Sequence, residues 1–218
     1  MKYNTILFDL DGTLIDPYEG ISKTILHVLK TFGDPPLERR SIVKFIGPPL
    51  LNGFMEFAGY SREKAMLALK VYRDRYMARG IYETKLTNGV YRLLKVLSRS
   101  GVRLGVATLK PDIMTERILN HFDIYKYFEF VSAAELAPEG RNNKTDIIAH
   151  ALENMNIFGT EREKTLMVGD RHHDIVGADE NGIVSVGLLS GYGSRQEFVE
   201  FGANYIINKI SEVEKIVF

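Results

Sequence analysis

Short apolar runs recur along the chain, at residues 5–10, 102–107, 128–132, 165–169, 183–188 and 204–207. A strand that stays apolar at successive positions is buried on both faces, which happens where helices cover both sides of a parallel sheet. Helical patterns fill the intervals. Val90, Leu93, Leu94 and Leu97 share one helix face, and Ile147, Ile148, Ala151, Leu152 and Met155 share another. Strand and helix therefore alternate, which predicts βαβ units and an α/β fold around an open parallel sheet. Local signals mark several helix starts. Thr160-Glu161-Arg162-Glu163, Ser194-Arg195-Gln196-Glu197 and Ser211-Glu212-Val213-Glu214 each match the capping box, in which hydroxyl and carboxylate satisfy each other's backbone amides. Pro111-Asp112 opens a further helix that runs to about His121.

Residues 17–80 interrupt the alternation and contain no strand pattern. Ile21, Ile25, Leu26, Val28, Leu29 and Phe32 form a helical stripe that Gly33-Asp34-Pro35-Pro36 ends. Ser61 then caps a long helix carrying Met66, Leu69, Tyr72, Tyr76 and Met77, whose Tyr72 to Tyr76 stretch reads as the subdomain's inner face or its surface and not as a cofactor box. We therefore expect an α/β core made of residues 1–16 and 81–218, with residues 17–80 as an inserted helical subdomain. The nearest approach to a linker is the polar loop Glu139-Gly140-Arg141-Asn142-Asn143.

Composition narrows the function classes. Among 218 residues, Lys and Arg number 28 and Asp and Glu number 28, so the formal net charge is zero. A neutral chain exerts no global pull on nucleic acid or anionic lipid, which argues for a small-molecule partner, no nucleic acid and no membrane. The chain has no cysteine, which excludes disulfides, thiolate zinc sites and cysteine nucleophiles. No apolar stretch reaches the ~18–20 residues of a membrane span, and the run at residues 1–8 is too brief for a signal peptide. The expectation is a soluble, cytoplasmic protein, monomeric or homodimeric.

Ligands of open parallel sheets gather outside the carboxyl ends of the strands. The predicted strand ends carry Asp9-Leu10-Asp11-Gly12-Thr13, then Ala107-Thr108 followed by Lys110, then a loop leading to Lys144, then Gly169-Asp170-Arg171-His172-His173-Asp174. Carboxylates brought together repel one another unless a hard cation joins them, and Mg²⁺ takes a few carboxylates together with water and phosphate. A hydroxyl and a lysine at the same place suit the equatorial oxygens of a phosphoryl group. One aspartate can serve as nucleophile and a second, two residues on, as general acid and then general base. Lys110 is the alternative to Lys144 for the phosphoryl group. Asp174 reads either as part of this cluster or as an acid in the first turn of a helix. His172 and His173 read as loop residues at the rim; His27, His121 and His150 read as packing or surface residues. The glycines at 187, 191 and 193 do not match the dinucleotide fingerprint and read as a loop before a capped helix.

Asp9-Leu10-Asp11-Gly12-Thr13-Leu14 resembles the first motif of the haloacid dehalogenase superfamily. Thr108, Lys144 and Gly169-Asp170-x-x-x-Asp174 resemble its second, third and fourth motifs, in order and across nearly the whole chain. The resemblance implies a Rossmann-like parallel core with an inserted α-helical cap. It implies Asp9 as nucleophile and metal ligand, and Asp11 as general acid/base whose backbone carbonyl also ligates the metal. Asp170 would complete the Mg²⁺ ligands with Asp174 beside it, and Thr108 and Lys144 would hold the phosphoryl oxygens. Dehalogenases of the superfamily lack the second aspartate of the first motif, so Asp11 implies phosphate chemistry. The Arg141-x-x-Lys144 spacing and the small cap resemble the phosphoglycolate phosphatase-like branch, and Ile46-Gly47-Pro48-Pro49-Leu50 resembles its cap loop. Arg39, Lys44 and Gly47 are the cap's candidate substrate contacts, although the cations Arg39, Arg40 and Lys44 read first as a solvated face. The expectation is a Mg²⁺-dependent phosphatase of small phosphorylated metabolites. The alternatives are a 5′-nucleotidase, a pyrophosphatase, a β-phosphoglucomutase-like mutase, or a phospho-accepting signalling module.

Overall fold

A computed structural model describes residues 1–47, 50–135 and 140–218. In chain order the elements are strands β1 (Thr5–Phe8) and β2 (Ile15–Asp16), then helices α1 (Tyr18–Thr31), α2 (Arg39–Val43), α3 (Leu50–Phe57) and α4 (Arg62–Ala78). Strand β3 (Lys85–Leu86), helix α5 (Val90–Arg99), strand β4 (Arg103–Pro111), helix α6 (Asp112–His121) and strand β5 (Phe130–Ala134) follow. The chain closes with α7 (Lys144–Asn154), β6 (Thr165–Gly169), α8 (His172–Glu180), β7 (Val184–Leu188), α9 (Arg195–Glu200), β8 (Tyr205–Ile207) and α10 (Val213–Val217). These elements form two compact units, Met1–Ile15 with Leu86–Phe218, and Asp16–Lys85.

The first unit is built on a six-stranded sheet of order β5-β4-β1-β6-β7-β8. Every pairing in it is parallel. Strand β1 is central and wholly buried, as its apolar run requires. Alternation sends Leu7 to one face, where it packs with Ile147, Ile148, Ala151 and Leu152 of α7 and with Met167. The register fixes the chemistry. Phe8 pairs with Val106 on β4 and with Val168 on β6. Asp9, Ala107 and Gly169 therefore lie level, one residue further, at the carboxyl rim.

Some local expectations are corrected. Strand β4 continues past Ala107 to Pro111, and its register against β5 shifts between Thr108 and Pro111. Strand β5 begins at Phe130 because Tyr125–Tyr127 form a 3₁₀ turn first. Thr160 does not cap an α-helix: Gly159–Lys164 is 3₁₀ and runs directly into β6, leaving no room for α turns. Ser211 does not cap either. Glu212 accepts from the Lys209 N–H at 2.9 Å and so caps the 3₁₀ turn Ile210–Glu212, whose N-cap Lys209 lies two residues before Ser211. Ser194 does cap α9, accepting from the Glu197 N–H at 3.1 Å, but Glu197 turns its carboxylate to the His172 N–H at 2.8 Å instead of reciprocating.

The second unit packs helices around aromatic rings. Tyr72 stacks on Tyr76 with centroids 5.4 Å apart, and Phe54 stacks on Tyr60 at 5.9 Å. Tyr72 and Tyr76 are thus core residues. Ser61 accepts from the Lys64 N–H at the start of α4, as its position predicts. Arg75 is half of a largely buried ion pair with Glu83 at 2.9 Å and also donates to the Thr24 hydroxyl at 2.6 Å. Of the loop around Gly47, Pro48 and Pro49 lie outside the described residues, as does Glu139 of the polar loop.

Candidate active site

The turn after β1 is set by glycine. Gly12 has φ 79°, a conformation that L side chains resist, and a Cβ there would fall 2.0 Å from Asp170 Oδ2. The Gly12 N–H donates to Ile15 O at 2.8 Å, while the N–H groups of Leu14 and Ile15 both close on Leu10 O. This tight loop leaves Asp9 on the rim, its own N–H held by Val168 O at 2.9 Å, and carries Asp11 beside it.

Each of these aspartates meets a different buried lysine. Lys144 Nζ donates to Asp9 Oδ1 at 2.8 Å and to Ala107 O at 2.9 Å, and lies 2.7 Å from Asp174 Oδ1 as its ion-pair partner. Lys144 is the first residue of α7, where the helix dipole opposes a cation. Asn143 caps that helix by accepting from the Asp146 N–H at 2.8 Å. Burial disfavours the Lys144 charge, but the Asp174 and Asp9 carboxylates outweigh it and hold the group above its ordinary pKa. Lys110 Nζ lies 2.9 and 2.7 Å from the two oxygens of Asp11. Burial raises the Asp11 pKa, with Lys110 opposing the shift. Thr108 is buried on the same strand, its hydroxyl accepting from the Lys110 N–H at 3.2 Å.

Asp170 follows β6 directly and is 1% exposed. Its Oδ2 accepts from the Tyr192 N–H at 2.7 Å, whereas its Oδ1 is buried with no hydrogen-bond partner. Burial and then the Asp9 and Asp174 charges push its pKa well up. Asp174 is held by Lys144 and by the Arg171 N–H, 3.0 Å from Oδ2, so it both tops α8 and orients the lysine. Burial raises its pKa in spite of Lys144. Asp9, Asp170 and Asp174 each offer a carboxylate oxygen, all within 4.8 Å of one another. Four carboxyl groups share two ammonium groups, a deficit of cationic partners. Hard oxygen donors, an orphaned Asp170 oxygen and that deficit fit a divalent cation of the Mg²⁺ type.

The histidines take no part in that triad. His172 Nδ1 sits 2.8 Å from Glu197, with its ring stacked on Phe201 at 4.7 Å. Burial, with the neighbouring His172, pushes the His173 pKa down to about 4. His150 contacts the Ser132 hydroxyl at 3.1 Å, and His27 and His121 are exposed. In the helical unit Arg39, Lys44 and Gly47 are all exposed. The Arg39 guanidinium lies 4.8 Å over the Tyr18 ring in a cleft of about 390 Å³ that Asp16, Glu19, Ser22, Lys23 and Lys85 also line. Lys44 lies 5.6 Å over the Phe57 ring.

Two features went unread in the sequence. The pairing of Lys110 with Asp11 is one; the period-two spacing from Thr108 held its signal, since alternate strand residues share a face. The other is the glycine-rich loop, whose Tyr192 N–H holds Asp170. A Cβ on Gly191 would fall 2.3 Å from that of Asp170.

Residues 6–188 match the family model of haloacid dehalogenase-like hydrolases. A 5′-nucleotidase of Pseudomonas aeruginosa is 39% identical over 90% of this chain and 87% of its own. The tyrosine-protein kinase PtkA of Mycobacterium tuberculosis is 36% identical over 97% of this chain and 70% of its own. A crystal structure of a phosphatase from Clostridium difficile, described as putative in that work, superposes with a TM-score of 0.90 at 39% identity and covers 99% of each chain.

Proposed function

The chain belongs to the haloacid dehalogenase-like hydrolases, and within that family we propose that it is a Mg²⁺-dependent phosphatase acting on small phosphorylated metabolites through an aspartyl-phosphate on Asp9. The observation that carries this reading is the rim itself. Two aspartates two residues apart sit at one strand end, each against its own buried lysine, beside an Asp170 oxygen with no partner. Such an arrangement suits a nucleophile and a separate acid/base, because two bare carboxylates side by side would compete for one proton.

The chemistry runs in two steps. Asp9 attacks phosphorus as Asp11 gives its proton to the departing oxygen. Asp11 then takes a proton from water, whose oxygen displaces the phosphoryl group from Asp9. Lys144 keeps Asp9 ionised and aimed, and with Thr108 binds the equatorial oxygens. Asp9, the Asp11 carbonyl and Asp170 would hold Mg²⁺, with Asp174 beside them; the cation offsets charge on the phosphoryl group. Substrate choice belongs to the helical unit, with Arg39, Lys44 and Gly47 as contacts. Phosphoglycolate-like compounds are the first class. The likeness to a 5′-nucleotidase supports nucleoside monophosphates as the second.

Phosphate release from a panel of phosphoglycolate, nucleoside monophosphates, sugar phosphates, phosphotyrosine and pyrophosphate, with Mg²⁺ and with chelator, tests this. Chelator-sensitive turnover is expected. Turnover indifferent to chelator, or none from any ester, rejects the reading.

A further inference from the structure

We propose that Lys110 is the positioning residue for Asp11: its ammonium group fixes that carboxylate in the orientation from which the proton reaches the leaving oxygen. This rests on the aspartyl-phosphate reading above and assigns a residue that reading leaves without a task.

The strand is built to deliver this side chain. Opposite Ala133 and Ala134 of β5, β4 places Thr108 and Pro111, so Leu109 and Lys110 are two extra residues in the register. Irregularities of this kind re-aim side chains beside active sites. The backbone of Lys110 is pinned on both sides. Its N–H donates to the Thr108 hydroxyl at 3.2 Å, and its carbonyl accepts from the buried Thr115 hydroxyl of α6 at 3.2 Å. The side chain is 5% exposed and reaches both oxygens of Asp11. Lys144 is turned to other partners: it donates to Asp9 and to Ala107 O and pairs with Asp174. The two lysines thus divide the two aspartates between them.

The proton balance is simple. In the first step the Asp9–phosphorus bond forms, the bond from phosphorus to the leaving oxygen breaks, and the Asp11 proton moves to that oxygen. In the second, water gives its proton back to Asp11 while its oxygen replaces Asp9 on phosphorus. Lys110 keeps its own protons throughout. One oxygen of Asp11 goes on accepting from Nζ while the other carries the moving proton.

A positioning role for a general acid has a signature that a phosphate anchor lacks. p-Nitrophenolate leaves without protonation, whereas an alkoxide does not. The value of kcat/KM covers steps only up to formation of the Asp9–phosphorus bond, so it isolates the acid's part. The experiment compares kcat/KM for p-nitrophenyl phosphate and for the best alkyl phosphate of the panel, in the parent, Lys110→Met and Lys110→Arg. General acids contribute ~10²–10⁴-fold, so Lys110→Met is expected to lower the alkyl value at least about tenfold more than the aryl value. Inhibition by inorganic phosphate stays within about threefold of the parent, because the phosphoryl subsite is untouched. Lys110→Arg restores part of the alkyl activity. Equal losses on both substrates, or weakened inorganic phosphate binding without leaving-group dependence, overturn the proposal and make Lys110 a phosphate anchor or a packing residue. A parent that turns over no ester is a failure of the phosphatase reading instead. A crystal structure of Lys110→Met, or of Lys110→Gln should the first variant not fold, then decides this inference alone: a displaced Asp11 carboxylate supports it and an unmoved one rejects it.

Discussion

Replacing Lys144 with methionine removes one charge from the site and little else. The two side chains have similar length, and the lysine stem lies against Gly177, where a Cβ would approach Lys144 Cγ to 3.0 Å. No cavity cost is therefore expected. What remains is a buried Asp9 and a buried Asp174 that have lost the cation 2.8 and 2.7 Å away. Removing one partner of a buried ion pair costs ~3–5 kcal/mol, since the other charge stays desolvated. For a chain of this length 1 kcal/mol moves the thermal midpoint by ~2–4 °C, so Lys144→Met should unfold roughly 6–20 °C below the parent. The assay is thermal unfolding followed by circular dichroism at pH 7 with chelator present. Adding Asp174→Asn to the variant should recover part of the loss, because one of the two stranded charges disappears. A loss below about 1 kcal/mol, the scale of exposed pairs, would refute the picture of a buried, ion-paired site.

Three further outcomes follow from the same geometry. Asp9→Asn should abolish phosphate release while leaving the unfolding midpoint near the parent's; an active variant removes Asp9 from the nucleophile's role. Gly12→Ala should lose activity and at least about 2 kcal/mol in urea unfolding, because the turn needs φ 79° and the new Cβ meets Asp170. Normal stability and turnover in that variant would mean the turn is free to relax. Asp170 has a folded pKa well above its unfolded one, so its contribution to stability is present in acid and lost as pH rises through the folded value. In chelator, Asp170→Asn should therefore be more stable than the parent at pH 7, the gap closing toward about pH 4. A gap that does not change with pH contradicts this.

The sheet was legible because burial on both faces forces continuous apolar runs, and the rim was legible because chemistry-bearing residues follow those runs. Thr165–Gly169 and the helix from Asp112 match their expected bounds for that reason. The capping boxes at Thr160 and Ser211 misled because a box describes the first turn of a helix and says nothing of whether later turns have room. Strand β4 was read short because Thr108 and Lys110 are polar, and polarity at a strand end looks like its end. The burial of Tyr72 depends on Phe54, a ring from another helix that also stacks on Tyr60, and periodicity within one helix does not name it.

The covalent intermediate is the most direct test of the account. The protein would be quenched during turnover, its acyl phosphate reduced with borohydride, and the modified peptide located by mass spectrometry. The account predicts modification at Asp9 alone, absent in Asp9→Asn. Modification at another residue, or turnover with none at any time point, would contradict it.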